Sequence, residues 1–412
     1  MSDLIYDWNA PSDALIPAVE VDDETLRDGL QSPSVREPTL DQKIEILEAM
    51  IALGIKRGDI GLPMSAQLED IKGLLKHITH HKRPFAPGLA VRTVVSDLRH
   101  VADLQQAFGI PIKAEAFLGC SRIRLAVEGW DMGKVLRLAE EAIRFAREQS
   151  IPMMFVTEDT TRAHPDDLEA VYGLALDGGV AEVCVADTVG HSTPGGARAV
   201  VGAVRDLIRR KGRPEVLLNW HGHSDRGLAV ANSLAAAEAG ADVLHAAGIG
   251  IGERSGNTPM DQLLVNLKLL GRWRHDLSHL SRYVSLVSEA VDVPVPRNYP
   301  VFGSDAFRTA TGVHAAALLK ARREGDRALE DVVYSGVPAH LFGLEQEVEL
   351  GRMSGKSNAL YWLRRRGLPE GDALVEDLVR AAQRSPVVLS TAEILAVVRA
   401  HYPELSAGAG EG

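Results

Sequence analysis

The sequence predicts a TIM barrel, eight parallel strands each followed by a helix, with a smaller, mainly helical C-terminal region. Three observations carry this. Apolar, β-rich runs alternate with amphipathic stretches from about residue 17 to about 270. Eight β-then-α units fit that span, as a barrel of this kind requires. Polar side chains also recur just past the C-terminal ends of most of the runs, where barrel enzymes keep their chemistry. A doubly wound open sheet competes, but no glycine-rich turn follows the first strand.

Taken in order, strands are expected at 18–22, 55–61, 88–92, 112–117, 152–157, 181–186, 216–220 and 242–247, each a short apolar run of buried-strand length. Helical periodicity separates them at 39–53, 94–107, 133–149, 166–176, 194–210 and 228–239. Ser96-Asp97 and His164-Pro-Asp166 are capping signals at two of the starts. Past about residue 270 the alternation ends. The expected organisation is a barrel over 1–272, a linker over 273–300 that closes on Val-Pro-Val-Pro-Arg-Asn-Tyr-Pro300, and charged helical subdomains over 301–412 ending in a Gly/Ala tail.

The formal charge of −11 gives no attraction to phosphate backbones or anionic membranes, so neither nucleic acid nor membrane is expected as a partner. No apolar run approaches the roughly 18 residues of a membrane span, and the first residues lack the pattern of a secretory signal. The two cysteines, Cys120 and Cys184, match no zinc spacing and suggest no disulfide framework. A cytoplasmic location is expected.

Chemistry concentrates at two strand ends. His221-Gly-His223-Ser-Asp225 closes the run 216–220, and strand alternation aims His221 and His223 the same way, as a divalent metal needs. Two structural histidines are the plain alternative. Arg27-Asp28 sets a guanidinium beside a carboxylate after the first strand. Glu115, Glu158, Thr188 and the glycine run 248–256 fall at further strand ends, which suggests one metal-centred site.

These segments resemble the metal-dependent barrel family of 2-isopropylmalate, homocitrate and citramalate synthases, related more distantly to 3-hydroxy-3-methylglutaryl-CoA lyase. The resemblance rests on Glu24-Thr-Leu-Arg-Asp-Gly-Leu-Gln31, Glu158-Asp-Thr-Thr-Arg162, Asp187-Thr-Val-Gly190, the histidine motif, Leu228-Ala-Val-Ala-Asn-Ser233 and Gly250-Ile-Gly-Glu-Arg-Ser-Gly-Asn257. Beyond the barrel, Asp305-Ala-Phe-Arg-Thr-Ala-Thr-Gly-Val-His314 and Gly351-Arg-Met-Ser-Gly-Lys356 are similar to the synthases' lid, which the lyase lacks. At 412 residues, no regulatory domain of the kind that gives leucine feedback is expected.

The resemblance implies an acyltransferase that condenses acetyl-CoA with a 2-oxo acid and hydrolyses the thioester, giving a 2-alkylmalate-type product and CoA. A carbon–carbon lyase is the alternative. It implies Asp28, His221, His223 and Asn257 around a divalent metal, Mg²⁺ or Mn²⁺ before Zn²⁺ or Co²⁺. Arg27 would stabilise the developing alkoxide, and His314, aided by Glu158, would serve as base. Gln31, Arg92, Glu115 and Thr188 are assigned to the substrate, and Gly250 and Gly252 to the approach of CoA. A homodimer is implied, with each lid crossing to the other protomer.

The chain also departs from the family. Glu115 stands where a histidine is common, Arg122 and Arg124 follow it, and the lid tyrosine of some synthases has no clear counterpart, Leu344 falling near its place and Tyr334 ten residues earlier. Either an arginine receives a distal acidic group of the substrate, or Glu115 and the arginines pair internally or face solvent. These departures point to a specialised 2-oxo acid.

Overall fold

In the computed structural model, residues 4, 5, 8, 18–323 and 327–405 are described. The Gly/Ala tail and most of the first seventeen residues, to which the leader expectation applied, lie outside them. The chain divides into two compact units at Pro294/Val295, inside the stretch expected as a linker.

The first unit is a closed barrel of eight parallel strands in sequential order: β1 Glu20–Asp23, β2 Arg57–Asp59, β3 Ala86–Arg92, β4 Lys113–Gly119, β5 Met153–Glu158, β6 Glu182–Asp187, β7 Leu217–Gly222 and β8 Val243–Ala246. β1 and β8 close it in the register Glu20↔Val243 through Asp23↔Ala246. Each strand overlaps its expected position. The helices Leu68–His80 and Arg122–Glu128 are additions to that reading. The second has no buried residue, so it carries no apolar stripe that periodicity could register.

Alternation within the strands sorts the two faces. Leu89, Val91, Ala114, Ala116, Phe155, Val183, Val185, Leu218 and Trp220 are buried on the face toward the helices. Their strand neighbours face inward, charged at one end of the barrel and largely apolar where Ala90, Phe117, Met154, Val156 and Cys184 line a cavity. Arg57 on β2 bonds Asp22 on β1 and Glu182 on β6, while Lys113 on β4 reaches Asp22 at 2.7 Å. Side chains from non-neighbouring strands meet only through the barrel's centre, so this ionic cluster fills one end of it. Buried ions of this kind need mutual pairing, and each has at least one opposite charge in reach.

The helix Leu280–Val291 belongs to the barrel unit because Tyr283 donates to Asp23 Oδ2 at 2.7 Å and Trp273, before it, donates to the Leu53 carbonyl at 3.2 Å. These bonds tie 273–291 to the barrel rather than leaving it a free connection.

The second unit contains a short parallel pair, Arg308–Thr309 with Glu347–Val348, and the helices Gly312–Arg323, Arg327–Val332, Lys356–Arg365, Asp372–Arg384 and Thr391–His401. Trp362, Leu363, Leu374, Leu378, Ile394 and Val398 form its core. Ser390 and Glu393 make a capping box that starts the last helix. Among the described residues, no helix is long and apolar enough to cross a membrane.

Candidate active site

The loop after β1 turns sharply through a 3-10 segment, Gly29–Gln31, which brings Glu24, Arg27 and Asp28 back over the barrel mouth. His221 is the penultimate residue of β7, and His223 continues it in an antiparallel bridge to Asn257. The alternation read from the sequence holds: the two Nε2 atoms face each other at 3.2 Å. Asp28 Oδ2 lies 3.7 Å from His221 Nε2 and 3.8 Å from His223 Nε2. These separations are those of neighbouring ligands around one ion with bonds of about 2.0–2.2 Å.

The surroundings fit a cation. Asn257 donates to Asp28 Oδ1 at 2.9 Å, and its own Oδ1 is buried without a hydrogen-bond partner. Burial, together with the neighbouring His221, pushes His223 down to about 4, so its imidazole is neutral as a ligand must be. Asp28 is buried, yet Arg27, His221 and His223 hold it below the usual carboxylate range. Burial alone would depress His221, but the hydrogen bond and charge of Glu24 outweigh it and raise this group.

Arg27 is gripped by three carboxylates. It contacts Glu24, donates to Asp59 Oδ2 at 2.6 Å and to Asp28 Oδ2 at 2.9 Å, and reaches Gln31 Oε1 at 3.4 Å. A guanidinium so fixed is preorganised to meet developing negative charge without rearranging. Glu24 also accepts from His245 Nδ1 at 2.6 Å, and His245 Nε2 meets Asn219 Oδ1 at 3.1 Å. Asn219 continues to Glu182 at 3.0 Å, so a buried hydrogen-bonded chain runs from the site into the barrel's ionic end.

A cavity of about 250 Å³ opens here, lined by Gln31, Glu115, Glu158 and Thr188 together with Arg27, Asp28, His221 and His223. Thr188 Oγ1 accepts from the Asp159 N–H at 2.8 Å. Burial raises Glu158, against Arg124 at 3.9 Å. Burial likewise lifts Asp59 to about 7 and Glu115 to about 8. Glu115 pairs with Lys113 at 3.0 Å rather than with an arginine.

Arg92 is placed apart from these residues. It does not line the cavity; its guanidinium is 65% exposed and binds both oxygens of Asp97, which the following helix presents at 2.8 and 2.9 Å. Gly250 and Gly252 have φ of +71° and +147°. A Cβ on Gly252 would stand 2.2 Å from Asn257 Nδ2 and 3.0 Å from Asp28 Oδ1, and one on Gly250 would meet Pro259 at 2.8 Å. The loop's own packing behind the metal group therefore demands these glycines. His314 lies in the second unit, on the helix Gly312–Arg323, with its ring stacked on Tyr334 at 3.9 Å and Nδ1 3.4 Å from Thr309 Oγ1. Asp225 pairs with Arg254 at 2.9 Å, a loop-bracing role.

Sequence reading passed over His245, Asp59 and Asn219 as site residues. Each sits on an inward strand position, so counting alternate residues back from His221 and along β2 and β8 would have found them.

A parallel eight-stranded barrel with a cation-fitting Asp–His–His group over its C-terminal mouth defines a barrel enzyme. The chain belongs to the HMGL-like family, whose profile matches residues 18–287. It is 34% identical over 338 residues to a homocitrate synthase of Saccharolobus solfataricus, covering 81% of this chain and 69% of that protein. A homocitrate synthase of Methanopyrus kandleri is 30% identical over 368 residues, covering 88% and 86%. Hydroxymethylglutaryl-CoA lyase from Pseudomonas aeruginosa shares the fold, with a TM-score of 0.55 and 18% identity over 66% of this chain and 92% of that one.

Proposed function

We propose that this protein joins acetyl-CoA to a 2-oxo acid and hydrolyses the resulting thioester, releasing CoA and a 2-alkylmalate-type acid. The observation that carries this reading is the Asp28–His221–His223 group with Arg27 fixed beside it, in a chain whose relatives at 30–34% identity are homocitrate synthases. The likeness to lyases is one of fold.

Asp28, His221 and His223, with Asn257 beside them, would hold a divalent metal, Mg²⁺ or Mn²⁺ by preference. Bound there, such an ion supplies Lewis acidity at the keto oxygen and a template for the substrate's head. His314 takes a proton from the acetyl methyl, and the carbanion attacks C2 of the oxo acid. Arg27 Nη1 meets the negative charge that gathers on the former keto oxygen. Thr188 and Gln31 orient the carboxylate, and Glu158 assists the proton transfers. The proton taken by His314 returns to the alkoxide. Water then cleaves the thioester, its oxygen going to the new carboxylate, one of its protons to the CoA thiol and the other to solvent. The unit works as a homodimer in which His314 is supplied across the pair. Cys120 and Cys184 are both buried and unpaired, which suits the reducing cytoplasm.

The test is thiol release from acetyl-CoA. Release that requires both a 2-oxo acid and the metal, and is lost in His314→Ala, supports the reading. Cleavage of a 3-hydroxyacyl-CoA with no oxo-acid-dependent release would sink it.

A further inference from the structure

If the head of a 2-oxo acid sits at the Asp28–His221–His223 end of the cavity, as the reading above has it, the remaining wall decides which tail is accepted. That wall is an arc across β3 to β6. Strand register sets Ala90, Glu115 and Met154 at one level and Phe117, Val156 and Cys184 at the next, and all six line the cavity. Five of the six offer carbon or sulfur. The sixth, Glu115, is 3% exposed, and its Oε1 faces Lys113 Nζ at 3.0 Å. Its carboxyl oxygens cluster with those of Glu24 and Asp59 within 4.8 Å.

Among the described residues of the barrel unit, each cation at or beside the cavity already has a carboxylate on it. Of the cavity's two arginines, Arg27 carries Glu24, Asp28 and Asp59, and Arg254 carries Asp225. Lys113 stands between Asp22 at 2.7 Å and Glu115 at 3.0 Å. Arg122 and Arg124 do not line the cavity: the first is exposed and bound to Asp167, and the second lies between Glu128 at 3.3 Å and Glu158 at 3.9 Å.

We propose that the cavity selects a 2-oxo monocarboxylate with an uncharged aliphatic or aromatic tail, and excludes 2-oxo acids that carry a second carboxylate or a phosphonate. A distal anion would be desolvated against an apolar arc, beside the acidic cluster of Glu24, Asp59 and Glu115, with no unpaired cation of the barrel unit to neutralise it, which is costly for a buried charge. The tail of a monocarboxylate loses nothing there and gains contact with Met154, Val156 and Phe117. Rejection rests on an unfavourable group built into the site as much as on fit.

The experiment compares pyruvate, 2-oxoisovalerate and phenylpyruvate with oxaloacetate, 2-oxoglutarate and phosphonopyruvate in two ways on the full chain. Acid-dependent thiol release gives kcat/KM, and calorimetric titration of each acid into Mg²⁺-containing protein gives Kd without turnover. The expected result is a preference for the best monocarboxylate of about 100-fold or more in kcat/KM, with the same order in Kd. A dianionic acid preferred by either measure overturns the proposal and leaves the synthase reading standing. If no acid releases thiol, the synthase reading fails and the titration alone decides: tighter binding of monocarboxylates upholds the selectivity, and equal or weaker binding overturns it. Compared at about pH 9, because the charge of Glu115 develops only as pH rises through about 8, Glu115→Gln removes the one carboxyl group of the arc and frees Lys113 of one partner. It should raise the dicarboxylate-to-monocarboxylate ratio of kcat/KM by about tenfold; an unchanged ratio in a folded variant would mean that Glu115 takes no part in the exclusion.

Discussion

Asn257 shows how much one side chain in the site can settle. Its amide holds Asp28 Oδ1 at 2.9 Å and the Ile251 carbonyl at 3.0 Å, so it fixes the carboxylate that faces both histidines. Asn257→Ala should weaken metal binding by about 10–100-fold while the fold persists, measured by calorimetric titration with Mn²⁺. Glu115 gives a second prediction. Burial, reinforced by the nearby charges of Asp22 and Asp59 against the pull of Lys113, lifts its carboxyl from 4.5 to about 8. Between those values the folded chain keeps a proton that the unfolded chain gives up, so stability falls as pH rises through that window. Glu115→Gln removes this contribution. Its unfolding midpoint in urea should gain on that of the parent as pH is raised from about 5 to about 9, and parallel curves would refute the assignment.

At the scale of elements, strand ends do the positioning and loops do the refining. β1 and β7 are distant in sequence, yet inward alternation along β7 and its bridged extension aims His221 and His223 at one point, and the turn after β1 folds Asp28 back onto it. The glycine loop after β8 then seats Asn257 behind them, with Gly252 leaving room that any Cβ would take. Elsewhere the helices Lys356–Arg365, Asp372–Arg384 and Thr391–His401 are held by a core of their own in which Leu378 is fully buried. Leu378→Ala should cost about 2–5 kcal/mol in that unit. The loss should appear as early melting of helical circular dichroism, with metal affinity at the barrel site unchanged.

For the molecule as a whole, the barrel combines an apolar layer outside its strands with an interior crossed by one buried polar network. The network runs from Asp22, Arg57, Lys113 and Glu182 through Asn219 and His245 to Glu24 and Arg27. This network stiffens the site from beneath, and it is tolerated only because its charges are paired. Metal should stabilise the barrel unit above all, since Asp28, His221 and His223 come together only when it is folded. At about 100 times Kd the gain should be about 2.7 kcal/mol, several degrees in the barrel's Tm, and reversible by chelator. A Tm indifferent to Mg²⁺, Mn²⁺ and Zn²⁺ alike would argue against the metal group.

The sequence by itself determined the barrel, the order of its strands and the ends that carry chemistry, because hydrophobic period and strand alternation are local properties that survive any packing. Strand spacing likewise put His221 and His223 on one side, while Asp28 and Asn257 entered as ligands only through the family resemblance. Only the tertiary structure decided who pairs with whom. Arg92 turns out to Asp97, Glu115 takes Lys113 rather than an arginine, and His245 and Asn219 join the site from beneath. Such choices rest on distances between residues far apart in the chain, and on a buried charge taking whichever opposite charge the fold leaves within reach.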